Sequence, residues 1–128
     1  MRRVALVLLF MAGLADTAVA GVLRGQVWKS DDGSTMKIAS VVRSRFSGTF
    51  TNNDPAKGCI GIPYPVSGTS IGPMVKFTVN FVKCRATVTW QGNMLDTAMT
   101  VGWAMSYVGP DGKPATKGGF DAFWANSR

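Results

Sequence analysis

The chain has 128 residues, of which 46% are hydrophobic and 16% charged, and its formal net charge is +7. It contains no histidine and no glutamate, so it lacks the commonest general base, the commonest metal ligand and one of the two carboxylate side chains. Because neither a Cys–His pair nor a Ser–His–Asp set can be assembled, the composition predicts a protein that is not an enzyme and that holds no metal or cofactor.

Residues 1–20 have the pattern of a secretory signal peptide. Two arginines begin it, an apolar run from Val4 to Leu14 follows, and Ala18-Val19-Ala20 fits a cleavage site. We expect cleavage after Ala20 and a secreted or periplasmic domain of residues 21–128. No later segment is long and apolar enough to cross a bilayer, so we expect no membrane span in the mature chain.

The mature domain would keep twelve basic and six acidic residues, a net charge of +6. Its lysines and arginines, Lys57 among them, fall singly or in pairs along the chain. A nucleic-acid footprint needs clustered basic residues. The pattern therefore predicts a generally basic, solvated surface and no nucleic-acid partner.

Short runs of β-branched and aromatic residues alternate with clusters of Gly, Pro, Asn and Asp, which is typical of an all-β domain. Eight strands joined by hairpin-length turns favour an eight-stranded antiparallel up-and-down β-barrel, which has no free edge and can enclose one small ligand. The predicted strands are Leu23–Lys29, Ser34–Val41, Arg45–Thr51, Tyr64–Ser70, Met74–Val82, Ala86–Gln91, Ala98–Tyr107 and Gly118–Trp124.

Alternation along each strand predicts which side chains share the inner face of the barrel. The apolar alternating set, which includes Trp90 and Trp103, is assigned to the interior. Asp121 falls on the same face as Phe123, near the end of its strand. Because a buried carboxylate without a partner is costly, Asp121 either awaits an N–H donor of a ligand or bonds to a neighbouring strand end or tryptophan. The residues alone leave both readings open.

Cys59 and Cys84 are the only two cysteines. In an exported chain an even pair predicts a disulfide, with two buried free thiols as the alternative. The bond would stabilise the fold by about 3 to 4 kcal/mol in the chain-entropy treatment.

The order and spacing of these features resemble the avidin and streptavidin family of biotin-binding proteins. The resemblance covers nearly the whole mature chain. It is most similar to the dimeric, rhizavidin-like branch, in which the two cysteines pair and stiffen the loop over the pocket. The segments that carry it are Gly25–Ser34, Gly58-Cys59, Pro63–Gly68, Cys84 with Trp90 six residues later, Val88–Gly92, Trp103 and Gly119–Phe123.

The resemblance implies a biotin site whose polar end holds the ureido ring and whose walls are aromatic. Ser34 would hydrogen-bond the ureido oxygen, while Asp121 and Asn52 would accept hydrogen bonds from ureido N–H groups. Tyr64 would support the loop beside the pocket, and Trp28 would be a structural residue at the far end of the barrel. The implied apolar walls are Phe81, Trp90, Trp103 and Met105.

Four further positions of the implied site depart from the family pattern. Ser30 stands for an asparagine, Phe50 for a tyrosine, Ala86 for a serine and Val88 for a threonine. Because each neutral hydrogen bond contributes about 0.5 to 1.5 kcal/mol, we expect biotin binding that is retained but weaker than in typical members. No subunit-bridging tryptophan occurs near Lys113, which favours a homodimer over a tetramer.

Three alternatives remain open at this stage. An avidin-fold barrel with fewer polar donors would suit a different small hydrophobic ligand. An exported barrel of the protease-inhibitor type would act through a protruding N-terminal segment, for which only Gly21–Arg24 is at hand. A basic nucleic-acid-binding barrel would carry its aromatic residues on an exposed face among basic residues, whereas here they fall on the inward-facing positions of the strands.

Overall fold

The computed structural model describes residues 21–126, so the predicted signal peptide and its cleavage site lie outside the described residues. Each strand pairs antiparallel with its neighbour in sequence, and β1 also pairs with β8, which closes the sheet into a barrel. The predicted eight-stranded antiparallel up-and-down barrel is confirmed. The strands are β1 Val27–Ser30, β2 Thr35–Val42, β3 Arg45–Thr51, β4 Pro63–Ile71, β5 Met74–Phe81, β6 Ala86–Leu95, β7 Ala98–Val108 and β8 Pro114–Ala125.

Side chains alternate between the barrel interior and the outer surface as the sequence predicts. On β6, for example, Ala86, Val88 and Trp90 are buried and Thr87 is exposed. The centre of the interior is aromatic: the Trp90 ring lies 4.7 Å from that of Phe50 and 5.0 Å from that of Phe77, measured between centroids. Burying large apolar side chains of this kind supplies most of the driving force for a small barrel.

Strand β6 continues to Leu95, whereas the sequence predicted its end at Gln91. Gly92, the first residue after the predicted strand, lies within the observed one, opposite Val75 and Val101. A Cβ atom at Gly92 would lie 2.1 Å from the carbonyl oxygen of Thr100. The glycine therefore permits close approach of two strands rather than a change of chain direction.

Two other strands, β1 and β8, begin four residues away from their predicted positions. β1 begins at Val27 rather than Leu23, because Leu23 to Gln26 form a turn closed by the Gln26 N–H donating to the Leu23 carbonyl at 3.2 Å. β8 begins at Pro114 rather than Gly118, and a proline is tolerated at the first position of a strand. β5 ends at Phe81, one residue earlier than predicted, because Val82 opens a 3-10 turn over Val82–Cys84.

The far end of the barrel is closed by the first described residues. Trp28 is fully buried, as predicted, and its indole N–H donates to the Gln26 side-chain oxygen at 3.1 Å. Val22 is also buried, and its N–H donates to the Ser70 hydroxyl at 3.2 Å. Residues 21–26 thus pack against the barrel rather than protruding from it.

The described residues contain no helix with the length and hydropathy needed to cross a membrane.

Candidate functional site

Two tryptophans on neighbouring strands form an inner wall of the barrel. Trp90 on β6 is directly opposite Trp103 on β7, and both are buried, with Trp103 9% exposed. Trp103 is in turn opposite Gly119 on β8, where a Cβ atom would lie 2.9 Å from the indole ring. The missing side chain at Gly119 therefore makes the space that the Trp103 indole occupies.

Asp121 lies beside this wall and accepts hydrogen bonds from it. The Trp90 indole N–H donates to Asp121 Oδ2 at 2.9 Å, and the Asp121 side chain is 8% exposed. Burial raises the pKa of the Asp121 carboxyl above its ordinary value, because it outweighs the opposing effects of the Trp90 hydrogen bond and the Lys57 charge. The sequence left two hypotheses for Asp121, a ligand N–H donor or a bond to a neighbouring strand end or tryptophan. The bond to a tryptophan is present in this structure.

Lys57 brings a buried positive charge into the same space. Its side chain comes from the loop between β3 and β4, residues 52–62, and the residue is 3% exposed. Its ammonium lies 3.3 Å from Asp121 Oδ2 and 4.4 Å from the centroid of the Trp103 ring, and it also pairs with the Asp54 carboxylate. The expectation that Lys57 belongs to the solvated surface is wrong. Residues of an irregular loop have no alternating pattern from which burial can be predicted. The signal in the sequence was the spacing of Asp54 and Lys57, three residues apart, which allows an ion pair.

Asn52 organises this loop from within the barrel end. Its side-chain nitrogen donates to the carbonyls of Asp54 at 2.9 Å and Gly58 at 2.6 Å. Its side-chain oxygen accepts from the Asp54 N–H at 3.0 Å and from the Ser34 hydroxyl at 3.4 Å. A carboxamide has two donors and two acceptor sites, so all four of its hydrogen-bonding positions are engaged within the protein.

Ser34 and Ser30 lie next to Asn52 at the polar end. The Ser34 hydroxyl accepts from the Asn53 N–H at 2.7 Å and donates to the Asn52 side-chain oxygen at 3.4 Å, a long and therefore weak hydrogen bond. The Ser30 hydroxyl donates to the Asp32 carboxylate and accepts from the Ser34 N–H at 3.1 Å. Burial raises the pKa of Asp32, but hydrogen bonds from Ser30 and Ser34 outweigh it and leave that pKa lowered.

A disulfide fixes the loop at its far side. Cys59 is bonded to Cys84, with their Cα atoms 5.8 Å apart, which confirms the predicted pairing. The Tyr64 hydroxyl donates to the Cys59 sulfur at 3.6 Å and accepts from the Lys83 N–H at 3.3 Å. Lys57 is only two residues from Cys59, so the position of its side chain is constrained by this anchor.

The remaining predicted site residues line the apolar interior. Val88 lies opposite Met105, and Ala86 opposite Phe81, across adjacent strands, and all four are buried. Phe50 is also buried, and its ring lies against that of Trp90 in a tilted arrangement, 38° between the ring planes. The structure thus brings Trp90, Trp103 and Asp121 together in the barrel interior, with Ser34 beside Asn52 and Phe50 against Trp90.

A family model described as the Avidin family matches residues 19–125. The chain belongs to the avidin family. Among avidin-family relatives, afifavidin from Afifella pfennigii is 32% identical over 90 residues, which are 64% of this chain and 57% of that protein. The chain therefore spans little more than half the length of that curated relative.

Solved structures of the avidin family share the fold over most of the chain. The bradavidin2–biotin complex is 32% identical, with a TM-score of 0.78, over 82% of this chain and 99% of that one. The rhizavidin–biotin complex is 28% identical, with a TM-score of 0.71, over 79% of this chain and 98% of that one. Both similarities cover nearly the whole of the other chain, so avidin-family architecture accounts for the entire barrel.

Proposed function

We propose that this protein is an exported, non-catalytic biotin-binding barrel. The observation that carries the proposal is the position of Asp121 beside the two buried indoles of Trp90 and Trp103. A carboxylate between aromatic walls is suited to accept hydrogen bonds from a flat, apolar ligand that carries N–H groups. Family membership supports the same ligand, since bradavidin2 and rhizavidin are known as biotin complexes.

In the proposed complex the ureido ring lies at the polar end. Ser34 donates to the ureido oxygen and Asp121 accepts from a ureido N–H, while the rest of the ligand lies against Trp90 and Trp103. Tyr64 holds the loop that covers the site. The apolar surroundings are Phe81, Ala86, Val88 and Met105, and the neighbours at the polar end are Ser30, Phe50 and Asn52.

We further propose that biotin binds less tightly than in typical family members. Phe50 has no hydroxyl to offer, and the Asn52 carboxamide is fully engaged within its own loop. Each lost neutral hydrogen bond weakens binding by about 0.5 to 1.5 kcal/mol.

Calorimetric titration of the purified, oxidised protein with biotin tests the proposal. We expect saturable binding with one biotin per chain. Absence of heat, together with failure of biotin to displace a fluorescent biotin conjugate, would contradict it. The control variant Asp111→Asn removes a carboxylate from the exposed turn between β7 and β8, outside the proposed site, and should leave biotin binding unchanged.

A second candidate ligand is a less polar small molecule in the same barrel. The contact of the Phe50 ring with Trp90 favours it, because an apolar ring lies beside the wall where the family pattern has a tyrosine. Competition between biotin and a hydrophobic fluorescent probe discriminates the two. Displacement of the probe by micromolar biotin supports biotin, whereas displacement only by apolar compounds supports the alternative.

We propose that the protein forms a homodimer after export to the periplasm or the medium. Phe120 on the outer face of β8 is 89% exposed, and Trp124 on the same face is half-exposed, close to Leu95. Exposed apolar patches of this kind commonly mark protein interfaces. Light scattering should report a dimer that Phe120→Ser weakens and that Ile71→Ser, exposed elsewhere on the barrel, does not. A monomer or a tetramer for the unaltered protein would contradict the dimer.

A further inference from the structure

Lys57 is a buried cation with three partners and no counterpart in the resemblance that predicted the site. Its ammonium contacts the carboxylates of Asp54 and Asp121 and lies over the face of Trp103. Two of these partners, Asp121 and Trp103, are the residues assigned to the ligand. The lysine and the ligand therefore require the same surfaces.

The hydrogen-bond geometry also places Lys57 in competition with a ligand for Asp121 and Trp103. Trp90 and Lys57 both donate to Asp121 Oδ2, at 2.9 Å and 3.3 Å. A ligand N–H directed at this oxygen would meet the ammonium, and a ring stacked on Trp103 would overlap the lysine side chain 4.4 Å above the indole. Removing Lys57 by movement of the loop would free both positions at once.

The surroundings explain why the ammonium is stable at this position. One carboxylate oxygen from each of Asp32, Asp54 and Asp121 lies within 4.8 Å of the other two. The Lys57 ammonium supplies positive charge to this acidic group. Charges buried together need compensation. The acidic group therefore stabilises the inserted ammonium.

We infer that Lys57 is a specificity-determining residue of this site: it holds the loop of residues 52–62 closed by occupying the space between Trp103 and Asp121, and a ligand enters only by displacing it. The inference rests on the proposed function for the identity of the ligand alone. It predicts that only ligands which replace the contacts of the ammonium, by N–H donors to Asp121 and an apolar face on Trp103, open the loop.

Lys57→Ala tests the inference, with Lys113→Ala in the exposed β7–β8 turn as the matched charge control. The first measurement is quenching of tryptophan fluorescence by acrylamide. We expect stronger quenching in Lys57→Ala, an increase that disappears when Trp103→Phe is added, and no change in Lys113→Ala. Lys57→Arg, which keeps the charge, should remain close to the unaltered protein.

The second measurement is the association rate with biotin. If the open loop is populated to about one tenth in the unaltered protein, removing the lysine should accelerate association about tenfold. Lys57→Gln, which has a side chain of similar length without the charge, serves as the test variant if Lys57→Ala does not fold, with the same expected direction.

The two measurements separate this inference from the proposed function. Unchanged quenching in Lys57→Ala overturns the inference, whatever biotin does. An association rate that does not rise also overturns it where the unaltered protein binds biotin. Increased quenching in a protein that binds no biotin with or without Lys57 supports the closing role of the lysine and refutes biotin as the ligand.

Discussion

The Trp90 indole donates to the Asp121 carboxylate at 2.9 Å, which links β6 to β8 across the intervening strand β7. This bond orients the carboxylate along the wall that Trp90 and Trp103 form. It also partly offsets the burial of Asp121, which would otherwise be costly. A structural bond and a proposed ligand contact therefore converge on a single side chain.

Asp121→Ala should weaken biotin binding strongly and also lower stability. The substitution removes the proposed acceptor of the ligand N–H, and it leaves the Trp90 N–H and the Lys57 ammonium without their shared partner. Removing one partner of a buried ion pair costs about 3 to 5 kcal/mol, and the Lys57–Asp54 pair should reduce that loss here.

Dissociation kinetics and urea unfolding measure the two effects of Asp121→Ala. Asp111→Ala, exposed in the β7–β8 turn, is the control. A dissociation rate equal to that of the unaltered protein would remove Asp121 from the site.

Phe50→Tyr should tighten biotin binding by about 0.5 to 1.5 kcal/mol, because it restores a hydroxyl next to the proposed ureido oxygen. Phe46→Tyr, also inward-facing on β3, is the matched control and should not improve affinity. Calorimetry at one temperature compares the three chains. Equal or lower affinity for Phe50→Tyr would show that Phe50, in contact with Trp90, lies away from the ureido oxygen.

Replacing both Cys59 and Cys84 by serine should lower the free energy of unfolding by about 3 to 4 kcal/mol, because a loop closed across 25 residues would be released. Urea denaturation with and without reductant measures the change. Reductant should shift the midpoint of the unaltered protein and leave that of the double variant where it is. Identical midpoints for the oxidised protein and the double variant would contradict a stabilising role for the bond.

The acid dependence of stability should differ in sign between Asp121 and Asp32. Burial raises the pKa of Asp121 above its ordinary value of 3.8. Its contribution to the free energy of unfolding is therefore complete below pH 3.8 and is lost as pH rises through the raised pKa. Burial alone would raise the pKa of Asp32, but hydrogen bonds lower it below 3.8. The contribution of Asp32 to the free energy of unfolding is therefore present above pH 3.8 and is lost as pH falls through the lowered pKa.

Urea unfolding across the acidic range tests these signs with Asp121→Asn and Asp32→Asn. The stability advantage of the unaltered protein over Asp121→Asn should shrink as pH rises, and its advantage over Asp32→Asn should grow. Two curves with the same slope would contradict the assignment of the pKa directions.

Alternation of residue types was enough to predict the barrel and the inward faces of its strands. Trp90, Trp103 and Asp121 were placed on the inner surface because strand geometry fixes every second side chain. Glycine misled the prediction of the end of β6, since Gly92 signals a turn in sequence but serves close strand contact in the fold. The insertion of Lys57 depends on the path of an irregular loop, for which local sequence provides no period.

A crystal structure of the protein with biotin is the most direct test of the central claim. We predict a ureido N–H within hydrogen-bonding distance of Asp121, the ligand stacked along Trp90 and Trp103, and the Lys57 ammonium withdrawn from between Trp103 and Asp121. Biotin bound on the outer surface, or an interior still filled by Lys57 at saturating biotin, would contradict it.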